Sequence, residues 1–116
     1  MKRNLKEQEF LFNKIKGLKK FEFIKNNGKR LKGRFYILNF IKGNKSFGII
    51  VSKRVGNSVQ RNYEKRIIRE LIKKHIDNIP NCSIIFIRIP GRNGNFAEKN
   101  DDFFKLIQKI AYECNR

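Results

Sequence analysis

Histidine, cysteine and acidic residues are scarce in this 116-residue chain, where one His, two Cys and ten Asp or Glu stand against 28 Lys or Arg. Each shortage closes off a class of chemistry. Cys82 and Cys114 are far apart in sequence, and neither belongs to a CxxC pair or lies near a second sulfur ligand. They read as reduced core thiols. With His75 the single histidine, a His-based triad and a zinc centre both lack the groups they need. The pair Asp101-Asp102, with no His cluster beside it, makes a poor metal nuclease. No catalytic and no metal-ligating residue is expected. Long apolar runs are missing too, since Lys or Arg interrupts every such stretch well before the roughly 20 residues that a spanning helix needs. The opening MKRNLKEQEFLFNKIKG starts basic but places Glu7 and Glu9 where a signal peptide requires a continuous apolar block. The expectation is a cytoplasmic protein with no membrane partner.

Positive charge is what the chain has in excess. Its formal net charge of +18 makes it repel itself and seek a polyanion. Release of the counterions condensed on phosphates favours nucleic acid over an anionic membrane surface. At 40% hydrophobic residues with eleven Phe, the chain has enough apolar material for one core. Residues 1–16 read as a basic arm, in which Phe10, Leu11, Phe12 and Ile15 fit an amphipathic turn or two. Residues 17–116 read as a single nucleic-acid-binding α/β domain.

Within that domain, LKKFEFIKNNG places Leu18, Phe21 and Ile24 on one helical stripe, and Asn27-Gly28 supplies a stop. The runs RFYILNFIK and SFGIIVS are β-rich and flank Gly43-Asn44, which predicts an antiparallel hairpin. In the first run, period two sets Tyr36, Leu38 and Phe40 on one face and Phe35, Ile37 and Asn39 on the other. After Val55-Gly56, Asn57 or Ser58 caps a helix running to about His75, and DNIPN turns the chain. SIIFIRI reads as a buried strand. The loop PGRNGN then leads to DDFFKLIQKIAYEC, an amphipathic helix with Asp101 and Asp102 at its positive end.

The middle helix is the informative one. At 100° per residue Arg61, Asn62, Lys65, Arg66, Arg69 and Lys73 fall within an arc of roughly 140°, opposite Tyr63, Ile67, Ile68, Leu71 and Ile72. One face packs and the other binds. Glu64 falls among the apolar positions and is read as compensating the first turn. Cations in the first turns oppose the helix dipole by roughly a few tenths of a kcal/mol each, a penalty that an external phosphate reverses. Arginine predominates on this face, and its planar fork suits phosphate oxygens and stacks on bases.

At these residues the chain resembles the bacterial ribonuclease P protein family, whose signature is a basic pair, a Gly-containing turn and Arg-Asn-x-x-Lys-Arg-x-x-Arg. Lys53-Arg54, Gly56, Arg61-Asn62, Lys65-Arg66 and Arg69-Glu70 match it in order and spacing, with Ser58 in place of the more usual Ala. The resemblance runs from about Ile15 to the last helix and takes in FEFIKNNGKR followed by GRF. It implies an α/β (α+β) fold, a small two-layer sandwich with a roughly four-stranded mixed sheet packed with three helices. The signature helix is then a left-handed β-α-β crossover, against the right-handed default.

The same resemblance implies a protein cofactor of ribonuclease P, an endoribonuclease whose large RNA subunit carries the chemistry. Mg2+ held mainly by that RNA serves removal of the 5′ leader from precursor tRNA. Lys53, Arg54, Arg61, Asn62, Lys65, Arg66 and Arg69 then meet the catalytic RNA. Phe21, Phe35 and Asn39, with Arg61, Asn62 and Lys65, line a cleft for the single-stranded leader, whose bases stack on aromatic rings. Phe21 matches the first aromatic of the family's first helix, whereas Lys25 stands where a second aromatic is common and Asn39 where Tyr is frequent. Two other readings stay open. A ribosomal or other structural RNA-binding protein would not require the Arg-Asn-x-x-Lys-Arg spacing, and an autonomous RNA endonuclease would cut with no RNA partner.

Overall fold

The computed structural model describes residue 15 and residues 17–114. In chain order the elements are α1 (Leu18–Asn27), β1 (Lys29–Lys32), β2 (Tyr36–Lys42), β3 (Ser46–Ile50), α2 (Ser58–Lys74), β4 (Cys82–Arg88) and α3 (Phe96–Cys114), with short 3-10 turns at Lys53–Val55 and Ile76–Asn78. The strands form one mixed sheet in the order β1-β2-β4-β3, so the α+β architecture is as expected. Apart from Ile15, the arm of residues 1–16 lies outside the described residues.

β1 is the strand that residue patterning misses. Lys29, Arg30 and Lys32 are exposed and only Leu31 leans on the core. As the outer strand it pairs with β2 alone, and a charged edge of this kind resists pairing with another sheet.

The hairpin expected around Gly43-Asn44 does not form. β4 lies between the two runs, antiparallel to β2 and parallel to β3. Cys82 through Phe86 are all buried, as the central place in the sheet requires of a strand covered on both faces. Residues 43–45 cross over the end of β4, a span of two strand spacings or roughly 10 Å. The Gly43 N–H donates to the Asn81 carbonyl (3.1 Å), Ser83 Oγ donates to the Asn44 carbonyl (3.0 Å), and the Ser46 and Ser83 hydroxyls are 2.7 Å apart.

Tyr36, Leu38 and Phe40 of β2, Phe47 of β3 and Cys82, Ile84 and Phe86 of β4 share one sheet face. There they meet Ile67, Ile68, Leu71 and Ile72 of α2 and Phe103, Leu106, Ile107 and Ile110 of α3. α1 lies across the other face, packed on β2 and β4, where the register partners Asn39 and Ile85 are buried with Ile24. α1 ends at Gly28 because the chain closes on β2. A Cβ at Gly28 would lie 2.7 Å from the Phe40 carbonyl oxygen, while its backbone (φ −77°) needs no glycine.

α3 starts at Phe96, so Asp101 and Asp102 sit in its second turn and not at its N-terminus. The cap is Asn95 with Glu98: the Asn95 N–H donates to Glu98 Oε1 (2.9 Å) and the Glu98 N–H to Asn95 Oδ1 (2.8 Å). Asn-x-x-Glu is a capping-box pattern available in the sequence. Asp102 instead accepts the backbone N–H groups of Arg34 (2.8 Å) and Phe35 (2.9 Å), tying α3 to the start of β2.

Both cysteines are free. Burial, and next the Cys114 thiol beside it, pushes the Cys82 thiol up to about 12. Because the thiolate is the reactive form, Cys82 is expected to resist iodoacetamide in the folded chain and to react readily in urea. Mass-spectrometric labelling checks this, and equal rates in the two conditions would show the site to be open. No helix among the described residues is long and apolar enough to cross a membrane.

Candidate nucleic-acid interface

A reciprocal cap sets the start of α2. Asn57 Oδ1 accepts the Gln60 N–H at 2.9 Å, and the Asn57 N–H donates to Gln60 Oε1 at 2.8 Å. The preceding Gly56 takes φ 155°, and a Cβ there would run into the Gln60 side chain, so both backbone and space call for glycine. The helix therefore begins directly after the turn that carries exposed Lys53 and Arg54. Asn62, Arg66, Arg69 and Lys73 are exposed, and Arg61 and Lys65 half-buried. The Arg61 guanidinium folds back to donate to the Gly56 carbonyl at 3.0 Å, clamping the turn it follows.

Two α2 positions exchange the parts expected of them. Tyr63, counted above with the packing face, is 52% exposed. Glu64 is buried, and its oxygens accept Arg88 Nε at 2.8 Å and Lys99 Nζ at 3.2 Å. It anchors α2 to β4 and α3, and that is its role in place of compensating the first turn. Burial alone would push the Glu64 carboxyl up. The hydrogen bond and charge of Arg88, then those of Lys99, outweigh burial and hold it below the usual carboxylate range. Arg88 is further engaged, with Nη1 donating to the Ile89 carbonyl (2.7 Å) and Nη2 to the Arg92 carbonyl (2.8 Å). Sequence pattern singles out neither Arg88 nor Lys99. An Arg inside SIIFIRI is nonetheless a signal, since a charge in a buried strand requires a partner.

On its other flank α2 turns Lys65 and Arg69 toward β3. With Ile15, Phe47, Gly48, Ile49 and Ile72 they line a cavity of about 230 Å3. It lies at β3, the edge strand opposite β1, where the Ile15 N–H donates to the Phe47 carbonyl at 3.1 Å. Half-buried Phe21 stands over Gly48, placed so that a Cβ there would lie 2.9 Å from its Cε2. The Phe21 ring and the cavity that Lys65 and Arg69 line thus share one residue of β3, Gly48.

Other residues expected in the cleft do not join them. Phe35 is wholly buried, with the guanidinium carbons of Arg34 and Arg88 4.7 and 5.5 Å from its ring centroid and Gly94 against its edge. It precedes the first residue of β2, so strand alternation does not carry it to the face of Asn39, and its place is in the core. Asn39 is on the face that α1 covers and is 2% exposed; its amide N and O have no hydrogen-bond partner among the described residues. Lys25 is exposed on α1. His75 is a core residue, with Nε2 2.7 Å from Asn100 Oδ1 and its ring stacked on Phe103 and Phe104.

A family model described as Ribonuclease P matches residues 12–111. The Ribonuclease P protein component of Staphylococcus epidermidis is 41% identical over 108 residues, which cover 89% of this chain and 93% of the relative. Among solved structures, an RNase P protein from Staphylococcus aureus superposes with a TM-score of 0.73 at 30% identity, over 85% of this chain and 94% of that one. The RNase P protein from Thermotoga maritima gives 0.76 at 23% identity over 84% and 96%, a likeness of fold.

Proposed function

Since the chain belongs to the ribonuclease P protein family, we propose that it is the protein subunit of a cytoplasmic ribonucleoprotein that removes the 5′ leader from precursor tRNA. It binds a catalytic RNA and holds the single-stranded leader. The observation that carries this reading is that Phe21 stands over Gly48 while Lys65 and Arg69 line the cavity at that same residue of β3. A groove of that composition suits a single strand, with one base against the Phe21 ring and flanking phosphates on the two cations. The exposed α2 face, with Asn62 and Arg66, with Arg69 at its border with the groove and with Lys53 and Arg54 just before it, is left to the catalytic RNA, where each neutralised phosphate releases counterions. Arg61 holds the turn from which these groups project. Asn39 closes the floor beneath α1.

Magnesium ions, which the family resemblance implies, do not fit this groove. The groove presents an ammonium and a guanidinium, which repel a divalent cation, and Asp102 is taken up by two backbone N–H groups. Hydrolysis and its metal are therefore assigned to the partner RNA.

The test is cleavage of precursor tRNA at physiological magnesium by the chain, by its cognate RNA and by both. The chain alone is expected to leave the substrate intact and to raise leader removal when added to the RNA. RNA-free cleavage that survives further purification would favour an autonomous nuclease. Ribosome association with no effect on leader removal would favour a structural RNA binder. Arg66→Ala and Arg69→Ala are each expected to weaken assembly with the RNA and to lower its salt slope by about one, the loss of one phosphate contact. Filter binding across a salt series measures this, and an unchanged slope returns the residue to plain solvated surface.

A further inference from the structure

α2 has a second flank. Between its N-terminal turns and the segment 89–93 lies a cavity of about 490 Å3 whose walls include Arg54, Val59, Tyr63, Glu64, Arg88 and Arg92. At 100° per residue, Tyr63 stands roughly 160° around the helix from Lys65. A ligand here is therefore separate from one in the β3 groove.

Charge, rigidity and exposure all mark this cavity. Arg54, Arg88 and Arg92 line it with one carboxylate, Glu64, which is paired with Arg88 at 2.8 Å and with Lys99 at 3.2 Å, so no carboxylate of the lining is left for Arg54 and Arg92. Like charges gathered without a counter-ion repel, and an anion relieves them. The wall is also pre-formed: Arg88 grips the Ile89 and Arg92 carbonyls, and Arg92 Nη1 donates to the Arg34 carbonyl at 3.0 Å. Tyr63 and Val59, one turn apart, are 52% and 76% exposed, leaving apolar surface in water beside the cations. The Lys99 ammonium lies 5.9 Å from the Tyr63 ring centroid and steadies it.

We propose that this cavity takes one unpaired nucleotide of a partner RNA, its base against the Tyr63 ring and its phosphate between Arg54 and Arg92. The proposal rests on the RNA-binding reading above. It gives α2 the place of a wedge between two RNA segments, one along β3 and one along the segment 89–93.

Because the chain has no tryptophan, Tyr63→Trp sets a single indole in the cavity, and its emission reports a stacked base. The titrants are the ribonuclease P RNA of the same organism and an unstructured single-stranded RNA oligomer. Saturable quenching is expected, with a salt slope that falls by about one when Arg54→Ala or Arg92→Ala is added. In the chain without the indole, Tyr63→Ala is expected to weaken RNA binding by roughly 5- to 150-fold, the range of one stacked base. Tyr63→Phe is expected to keep it, each variant being shown folded by circular dichroism. Quenching by the oligomer without binding of the ribonuclease P RNA would uphold the cavity and overturn the partner assigned above. RNA binding with no quenching and with Tyr63→Ala at wild-type affinity would overturn the cavity and leave that partner standing.

Discussion

Replacing Glu64 with glutamine is expected to cost the folded chain about 3–5 kcal/mol at neutral pH, the range for removing one partner of a buried ion pair. The side chains of Glu64, Arg88 and Lys99 are only 12%, 6% and 7% exposed, so solvent screens the loss little. Glutamine keeps the shape and one acceptor oxygen. It leaves both cations without a counter-charge, however, and turns an NH2 toward one of them. Urea unfolding of the two proteins measures the cost. Its pH dependence follows from the sign of the shift, since the Glu64 carboxyl is held below its ordinary value in the folded state. The carboxylate's contribution is fully present above the unfolded value, near 4.3, and is lost as pH falls through the lower folded value. Wild type and variant should therefore converge in acid and stay apart at neutral pH. A difference below about 1 kcal/mol at neutral pH, the size of an exposed pair, would show that water already reaches the cluster.

Truncation of Phe21 to alanine in the assembled holoenzyme is expected to weaken binding of precursor tRNA by roughly 1–2 kcal/mol, about one stacked base, and to leave mature tRNA nearly unaffected. The comparison of substrates is needed because Phe21 packs over Gly48 from the helix that Ile24 anchors, and its loss also lowers stability. Lost stability does not distinguish a tRNA with a leader from one without. Gly48→Ala supplies the second arm. It keeps the ring but sets a Cβ 2.9 Å from Cε2, and it should move the ratio of affinities in the same direction by less. If the ratio stays at its wild-type value in both variants, Phe21 is a core residue and the leader is held elsewhere.

The parts of this interface that were legible in sequence are those set by local geometry. Asn57, Gly56, the apolar positions 67, 68, 71 and 72 and the cationic arc from Arg61 to Lys73 all follow from 3.6 residues per turn and one cap. What escaped depends on contacts distant in sequence. Tyr63 and Glu64 are neighbours at the rim of the packing face, where hydrophobicity alone puts the tyrosine inside. Arg88, on a strand formed later in the chain, reverses that by drawing the carboxylate in. Phe35 alternates with Tyr36 on paper, but Asp102 holds its N–H outside the strand and its ring turns inward. The Gly43-Asn44 turn carries the local signature of a hairpin, and only the buried surface of β4 explains why the two runs part around it.

That insertion also decides when the chain can fold. β4 pairs with both β2 and β3, yet it is the last strand to be synthesised. Until residue 88 has left the ribosome, the two earlier strands have no shared neighbour, and Leu38, Phe40 and Phe47 lack the surface that buries them. At about 5–20 residues per second, the nascent chain spends seconds with unpaired strand edges, the state most open to aggregation. A fragment ending before Cys82 retains only the β1-β2 pair, because what it loses is the strand that joins β2 to β3. The sheet is therefore completed in one step once β4 has emerged, and until then a basic, unfinished chain is held in solution chiefly by its own charge.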